Sequence, residues 1–338
     1  MLREKIDKII RNTYNKVKNN KEGKVADYIP ELAKADPNIF GISFVSCNGE
    51  RYDIGDFSKM IPIESISKVF TLAKAVDKFG IEYVNRKIGN EGSSLPFNSI
   101  VAAELSKTHT INPFVNQGAI ATTSLLYKKN GSQFENEILK NMDEYAGRKL
   151  KVDLKVYKSE METNDKNKAL SYLLNSYGRF YGDVDKTVDV YTKQCSKLVT
   201  SRDLATMACV FAKGGIHPVN NKRIIKETTA SYVYRSLRGE GLYEYSGKWD
   251  TDVGSISAKS GVGGGLLIIL KGVGGIGITS PRLDTIGNSV RGIKAGTILS
   301  NKLYDLHLSR SRFCNDTKQK RNKERINKTR KRRSKRLK

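Results

Sequence analysis

The sequence predicts an α+β fold: an antiparallel sheet built from both ends of the chain, flanked by helices and interrupted by an inserted helical lobe. Three observations predict it. Strand-like runs pair across a tight turn near the N-terminus, and a second pair stands near the C-terminus. The interval between them, from about 100 to 245, carries helical spacing and few strand signals.

The elements follow in order. Met1 to Lys8 is charged throughout, and Ile6, Ile9, Ile10, Tyr14 and Val17 recur as on a surface helix lying on the body. Phe40–Ser46 and Glu50–Ile54 flank Cys47-Asn48-Gly49, and Asn-Gly between such runs signals a hairpin. Glu64-Ser65-Ile66-Ser67-Lys68 then opens a helix, with Val69, Phe70, Leu72, Ala73, Val76 and Phe79 at helical spacing. In the middle interval, Ala169–Leu174 and Asp203–Ala212 read as helices. Ala258–Gly265 runs into Leu266–Leu270, a buried strand, which a glycine-rich turn joins to Ile276–Ile278. From Asn288 to Leu308, Val290, Ile293, Ile298, Leu299, Leu303 and Leu306 keep helical spacing. The division expected is a sheet lobe from 1–99 and 246–308, a helical lobe over 100–245, and a tail over 309–338.

The chain has 338 residues, 38% of them hydrophobic and 28% charged, enough for a large globular core. No apolar run approaches the roughly 20 residues of a membrane span, and the N-terminus lacks a secretory apolar core. Cys47, Cys195, Cys209 and Cys314 stand far apart without CxxC spacing, which argues for free thiols in a reducing compartment and against zinc. The location expected is cytoplasmic, or nuclear through the tail, and not secreted. Net charge is +25, and residues 317–338 hold 13 Lys/Arg against one acid, so they carry +12 of it. This tail is expected to be disordered. It reads either as a solubilising segment or as a nuclear-localisation or nonspecific nucleic-acid-binding one, without the interleaved aromatics of single-strand binders.

Ser65 and Lys68 stand at i and i+3, one turn apart on one face of a helix. Free N–H groups and the positive dipole end at a helix start favour developing negative charge on the serine. A lysine there can act as base only when neutral, so burial must bring it well below its free value of about 10.4. Taken alone, the pair reads as readily as a cap followed by a solvated lysine. Ala258-Lys259-Ser260-Gly261-Val262-Gly263-Gly264-Gly265 changes that. Penicillin-recognising serine hydrolases place such a Lys-Ser-Gly strand beside their Ser-x-x-Lys helix.

The surrounding blocks resemble one branch of that fold, the serine-dependent glutaminases. They are Gly23–Pro30, Ser65–Lys68, Pro96–Ser99, Asn112–Ile120, Ser159-Glu160 with Asn167, Tyr191–Ser196, Gly241–Tyr243, Lys259–Gly265, Ser280–Asp284 and Gly287–Ser289. They fall in family order from about residue 20 to 300. The resemblance implies a β-lactamase/penicillin-binding-protein-like fold, hydrolysis of L-glutamine to L-glutamate and ammonia, no cofactor or metal, and a homodimer or homotetramer. It implies that Ser65 forms a glutamyl ester and Lys68 takes its proton. The N–H groups of Ser65 and Val262 would hold the oxyanion, and Tyr243 would relay protons. Glu160 would pair with the substrate's α-ammonium, while Tyr28, Asn116, Asn167 and Tyr191 surround its charged end. His109, His217 and His307 match no catalytic position and are expected in loops or at the surface.

Four departures stand out against the family pattern. Glu64 replaces the usual glutamine before the nucleophile, and Lys166 replaces an arginine. Asn90–Ser94 departs from Glu-Pro-Ser-Gly. The stretch between Tyr243 and Lys259 is one residue longer, which could displace Val262. Two other readings share the fold: another acyl-serine hydrolase, such as a penicillin-binding enzyme, and an inactive scaffold whose basic tail does the binding. An ammonium receptor speaks against the first; Glu64 and the extra residue support the second.

Overall fold

The computed structural model describes residues 2–93 and 95–309. The basic segment of residues 317–338 and Cys314 lie outside them. Among the described residues, seven strands form two sheets: β1 (Gly41–Ser46), β2 (Arg51–Gly55), β3 (Ile61–Pro62), β4 (Leu198–Val199), β5 (Ser257–Gly261), β6 (Gly265–Leu270) and β7 (Gly274–Thr279). The main sheet runs in the order β2-β1-β7-β6-β5, antiparallel throughout, so the two ends of the chain do build one sheet. Gly49, at φ +84°, turns the expected first hairpin.

Register divides the sheet into two faces. Ile42 pairs with Ile278 and Phe44 with Ile276, while Leu266 and Ile268 oppose the same two residues from the other side. This face is covered by the N-terminal helix Leu2–Val17, by Trp249 and Val253, and by the helix over 290–309 with Leu299 and Leu303. Each such side chain contributes roughly 1.5–3 kcal/mol when fully removed from water. On the opposite face β7 presents Gly275 and Gly277, and the helix Ser201–Ala212 packs there. A Cβ built on Gly277 would stand 2.0 Å from the Ser201 carbonyl oxygen, so glycine sets how closely this helix can lie on the sheet.

Behind that helix is the larger core. At its centre runs Ser67–Phe79, buried on nearly every side, from Ser67 through Ala73 and again at Ala75 and Val76. Helices over residues 81–88, 116–125, 131–146 and 227–240 pack on it, and those over 165–176 and 184–195 form the next layer. The two-residue pair β3–β4 and a bond from Ile63 N–H to Lys197 O anchor the chain just before this helix. Among the described residues, no helix is long and apolar enough to cross a membrane.

Candidate active site

Ser65 sits one turn earlier than a regular helix start, in the 3-10 turn Glu64–Ile66 that leads into Ser67–Phe79. Glu64 has φ +51°, a left-handed conformation costing a non-glycine residue about 1–3 kcal/mol and met mainly where function requires it. Tyr243, which opens the 3-10 turn Tyr243–Tyr245, has φ +57°. Two strained residues therefore meet here, since the Tyr243 hydroxyl lies within hydrogen-bonding reach of Ser65 and 3.5 Å from Ser260 O.

Lys68 is 1% exposed. Its Nζ donates to Phe114 O at 3.0 Å and to Asn116 Oδ1 at 2.7 Å. Burial lowers its pKa to about 8. Asn116 opens the helix Asn116–Leu125, and its Nδ2 donates to Asn167 Oδ1 at 3.0 Å. A hydrogen-bonded line of neutral amides thus runs from the lysine into the cavity. Lys259 on β5 is fully buried, with Nζ donating to Ser260 O at 2.9 Å and lying 4.5 Å from the Tyr243 ring centroid. Burial, and secondarily the charge of Lys68, hold Lys259 well below the usual lysine range.

Ser65 and Val262 line one cavity of about 310 Å³ together with Tyr28, Asn116, Glu160, Asn167 and Tyr191. Seven of the nine residues proposed from sequence thus line it, and Tyr243 reaches it through Ser65. Lys68 lies behind Asn116. Val262 follows β5, where Gly264 at φ +93° turns the chain into β6 and Gly264 N–H bonds Gly261 O. The ladder from Ser257–Ile269 to Gly261–Gly265 is continuous, so the longer stretch before Lys259 leaves this strand intact. Tyr28 is 58% exposed as a residue, yet burial of its hydroxyl pushes the phenol up.

Glu160 lies in the last turn of the helix Leu154–Glu162, which Asp153 caps through Lys155 N–H and Val156 N–H. Burial raises its pKa to about 7. Lys166, in place of an arginine, donates to Asn98 Oδ1 at 3.3 Å on the cavity wall. Among the wall residues that had no role assigned from sequence are Phe97, Asn98 and Cys195. Phe97 packs against Tyr243 with the rings tilted by 35° and their centroids 4.9 Å apart. The Pro96–Ser99 block was its signal, but a ring's partner is not legible from sequence. Cys47, Cys195 and Cys209 are free thiols. His109 lies in a turn, His217 in a buried loop and His307 on the exposed side of the last helix, all away from this cavity.

A family model described as Glutaminase matches residues 23–308. The chain belongs to the glutaminase family. It is 47% identical to a glutaminase of Colwellia psychrerythraea, over 88% of this chain and 96% of that one. A solved structure described as Probable glutaminase ybaS superposes with a TM-score of 0.87 at 40% identity, over 89% of this chain and 97% of that one. A Bacillus subtilis glutaminase, solved as the covalent complex formed with 6-diazo-5-oxo-L-norleucine, superposes at 0.76 with 28% identity, over 90% and 97%. The fold is therefore the serine β-lactamase-like α+β arrangement of these enzymes, and the reaction is hydrolysis of L-glutamine to L-glutamate and ammonia.

Proposed function

We propose that this glutaminase works through a Ser65 glutamyl ester with Lys68 as general base. Neutral Lys68 accepts the Ser65 hydroxyl proton as Oγ attacks the side-chain amide carbon. The N–H groups of Ser65 and Val262 receive the oxyanion. Tyr243 passes a proton to the leaving nitrogen, and the C–N bond breaks to release ammonia. Water then attacks the ester, its proton returns through the same groups, and L-glutamate leaves with Ser65 restored. Glu160 holds the substrate's α-ammonium, with Tyr28, Asn116, Asn167 and Tyr191 around it.

The observation that carries this reading is the burial of Lys68 against a carbonyl and a neutral amide, which favours the unprotonated amine close to neutral pH. The test is labelling of the full chain with 6-diazo-5-oxo-L-norleucine followed by peptide mass spectrometry. The adduct is expected on Ser65 and absent from Ser65→Ala, which should not turn over glutamine. An adduct elsewhere, or turnover by Ser65→Ala, sinks the mechanism.

Two further parts of the reading concern partners. The resemblance to the family supports a homodimer or homotetramer, measurable by light scattering. The +12 carried by residues 317–338 supports nonspecific binding of nucleic acid or other polyanions, weakening steeply with salt. Removal of the residues after 312 should sharply lower affinity for an oligonucleotide and leave glutamine turnover within error.

A further inference from the structure

Glu64 has no task in the acyl transfer described above, yet it is 4% exposed and lines the substrate cavity beside Ser65. Its left-handed backbone brings the carboxyl group to Glu160, which comes from the far wall, and the two lie within hydrogen-bonding reach. Among the described residues no donor reaches Glu64 Oε1 or Glu160 Oε1, and both atoms are buried. Two ionised carboxylates in such a contact would repel in a poorly solvated space, whereas a single proton between them makes a hydrogen bond.

Titratable groups surround Glu64 on several elements; β5, which packs on its turn, carries Lys259, which burial holds well below the usual lysine range with its Nζ on Ser260 O. Lys68 lies on the helix that follows it, Tyr28 on the N-terminal loop, Tyr191 and Cys195 on the helix Val184–Cys195, and Tyr243 on its 3-10 turn. Of these, Lys259 apart, only Lys68 can be cationic, and its Nζ is already engaged by Phe114 and Asn116.

We propose that Glu64 is a specificity-determining positioning residue that works as a carboxylic acid, donating its proton to the Glu160 carboxylate and leaving one negative charge to meet the substrate's α-ammonium. This rests on the ammonium-binding role of Glu160 given above. Burial and the charge of Glu160 both hold the Glu64 carboxyl well above the usual carboxylate range, in agreement with that state. Loss of the proton would put a second negative charge beside Ser65. That charge opposes the developing oxyanion, repels the substrate's α-carboxylate and keeps the proton on Lys68. Activity should therefore fall on the alkaline side through Glu64.

The experiment is the pH profile of kcat and KM for the full chain, its Glu64→Gln, Glu64→Ala and Glu160→Gln forms, with melting temperatures as a check on folding. The wild type should show an alkaline limb that Glu64→Gln lacks, while the acid limb of kcat/KM stays in place. Glu64→Ala, which leaves Glu160 without its donor, should raise KM at least tenfold. The proposal is overturned by an acid limb that moves to lower pH in Glu64→Gln, since Glu64 would then have been a carboxylate supporting protonated Lys68. Superimposable profiles, or a wild-type KM in Glu64→Ala, overturn it as well. A wild-type KM in Glu160→Gln overturns the ammonium reading and this one together, which separates that failure from the others. Infrared spectra of the wild type need no variant: a protonated-carboxyl C=O band is expected near neutral pH, and its absence overturns the proposal.

Discussion

Lys68 Nζ stands 2.7 Å from the side-chain oxygen of Asn116, a partner that accepts a hydrogen bond but carries no charge. The neutrality of that partner matters as much as its distance. At an effective dielectric near 20, a unit negative charge about 4 Å away would stabilise the ammonium form by about 4 kcal/mol. An amide satisfies the amine's geometry without that bias, so desolvation decides the balance.

Asn116→Asp should accordingly move the acid limb of kcat/KM upward by at least about one pH unit. The check is a steady-state titration of ammonia release. An acid limb at its wild-type position would show that Lys68 does not set it.

Lys68 itself fixes the sign of the pH dependence. Its pKa in the fold is lowered to about 8, so the base is formed as pH rises through that value and lost as pH falls below it. The rate should climb through that region. Lys68→Arg, which cannot release a proton there, should lose roughly 10²- to 10⁴-fold in kcat. Wild-type turnover by Lys68→Arg would refute the general-base role.

Glu160 ionises at a higher pH than an exposed carboxylate. With its pKa raised to about 7 by burial, it becomes a charged ammonium receptor only as pH rises through that value. KM for glutamine should therefore increase below about pH 7. Glu160→Gln leaves the ammonium unpaired and should cost about 2–4 kcal/mol, at least tenfold in kcat/KM. N-acetylglutamine, which has no ammonium, should be hydrolysed far more slowly than glutamine by the wild type; equal rates would disprove the role.

Gly277 gives a stability prediction independent of the chemistry. A methyl group there would stand 2.0 Å from Ser201 O, on the backbone of the helix that fills this face of the sheet. Gly277→Ala should destabilise by about 2 kcal/mol, with the melting temperature roughly 3 °C lower. An unchanged melting temperature would mean the helix can back away from the sheet at no cost.

Much of this architecture was legible without coordinates, because it is encoded locally. The Asn48-Gly49 turn, the continuous apolar run of Leu266–Leu270, and the spacing from Val69 to Phe79 each act over a few residues. The elements that escaped such reading are those without local reasons to exist. Ile61–Pro62 and Leu198–Val199 are too short for any period and are strands only through each other. The helix near Asp203–Ala212 was legible as a helix, but its seat on β7 depends on two glycines more than sixty residues later in the chain.

The site divides in the same way. Ser65, Lys68 and the Lys259–Gly265 block announce their chemistry through residue type and spacing, and the requirement that Lys68 be neutral follows from its reaction alone. Whether that requirement is met is a matter of solvent exclusion, supplied by helices distant in sequence. The meeting of Glu64 and Glu160 is likewise visible only in the fold: one carboxylate beside the nucleophile reads from sequence as a substitution. Tertiary structure makes it half of a buried pair, because desolvation and charge coupling depend on distances through space that no stretch of sequence contains.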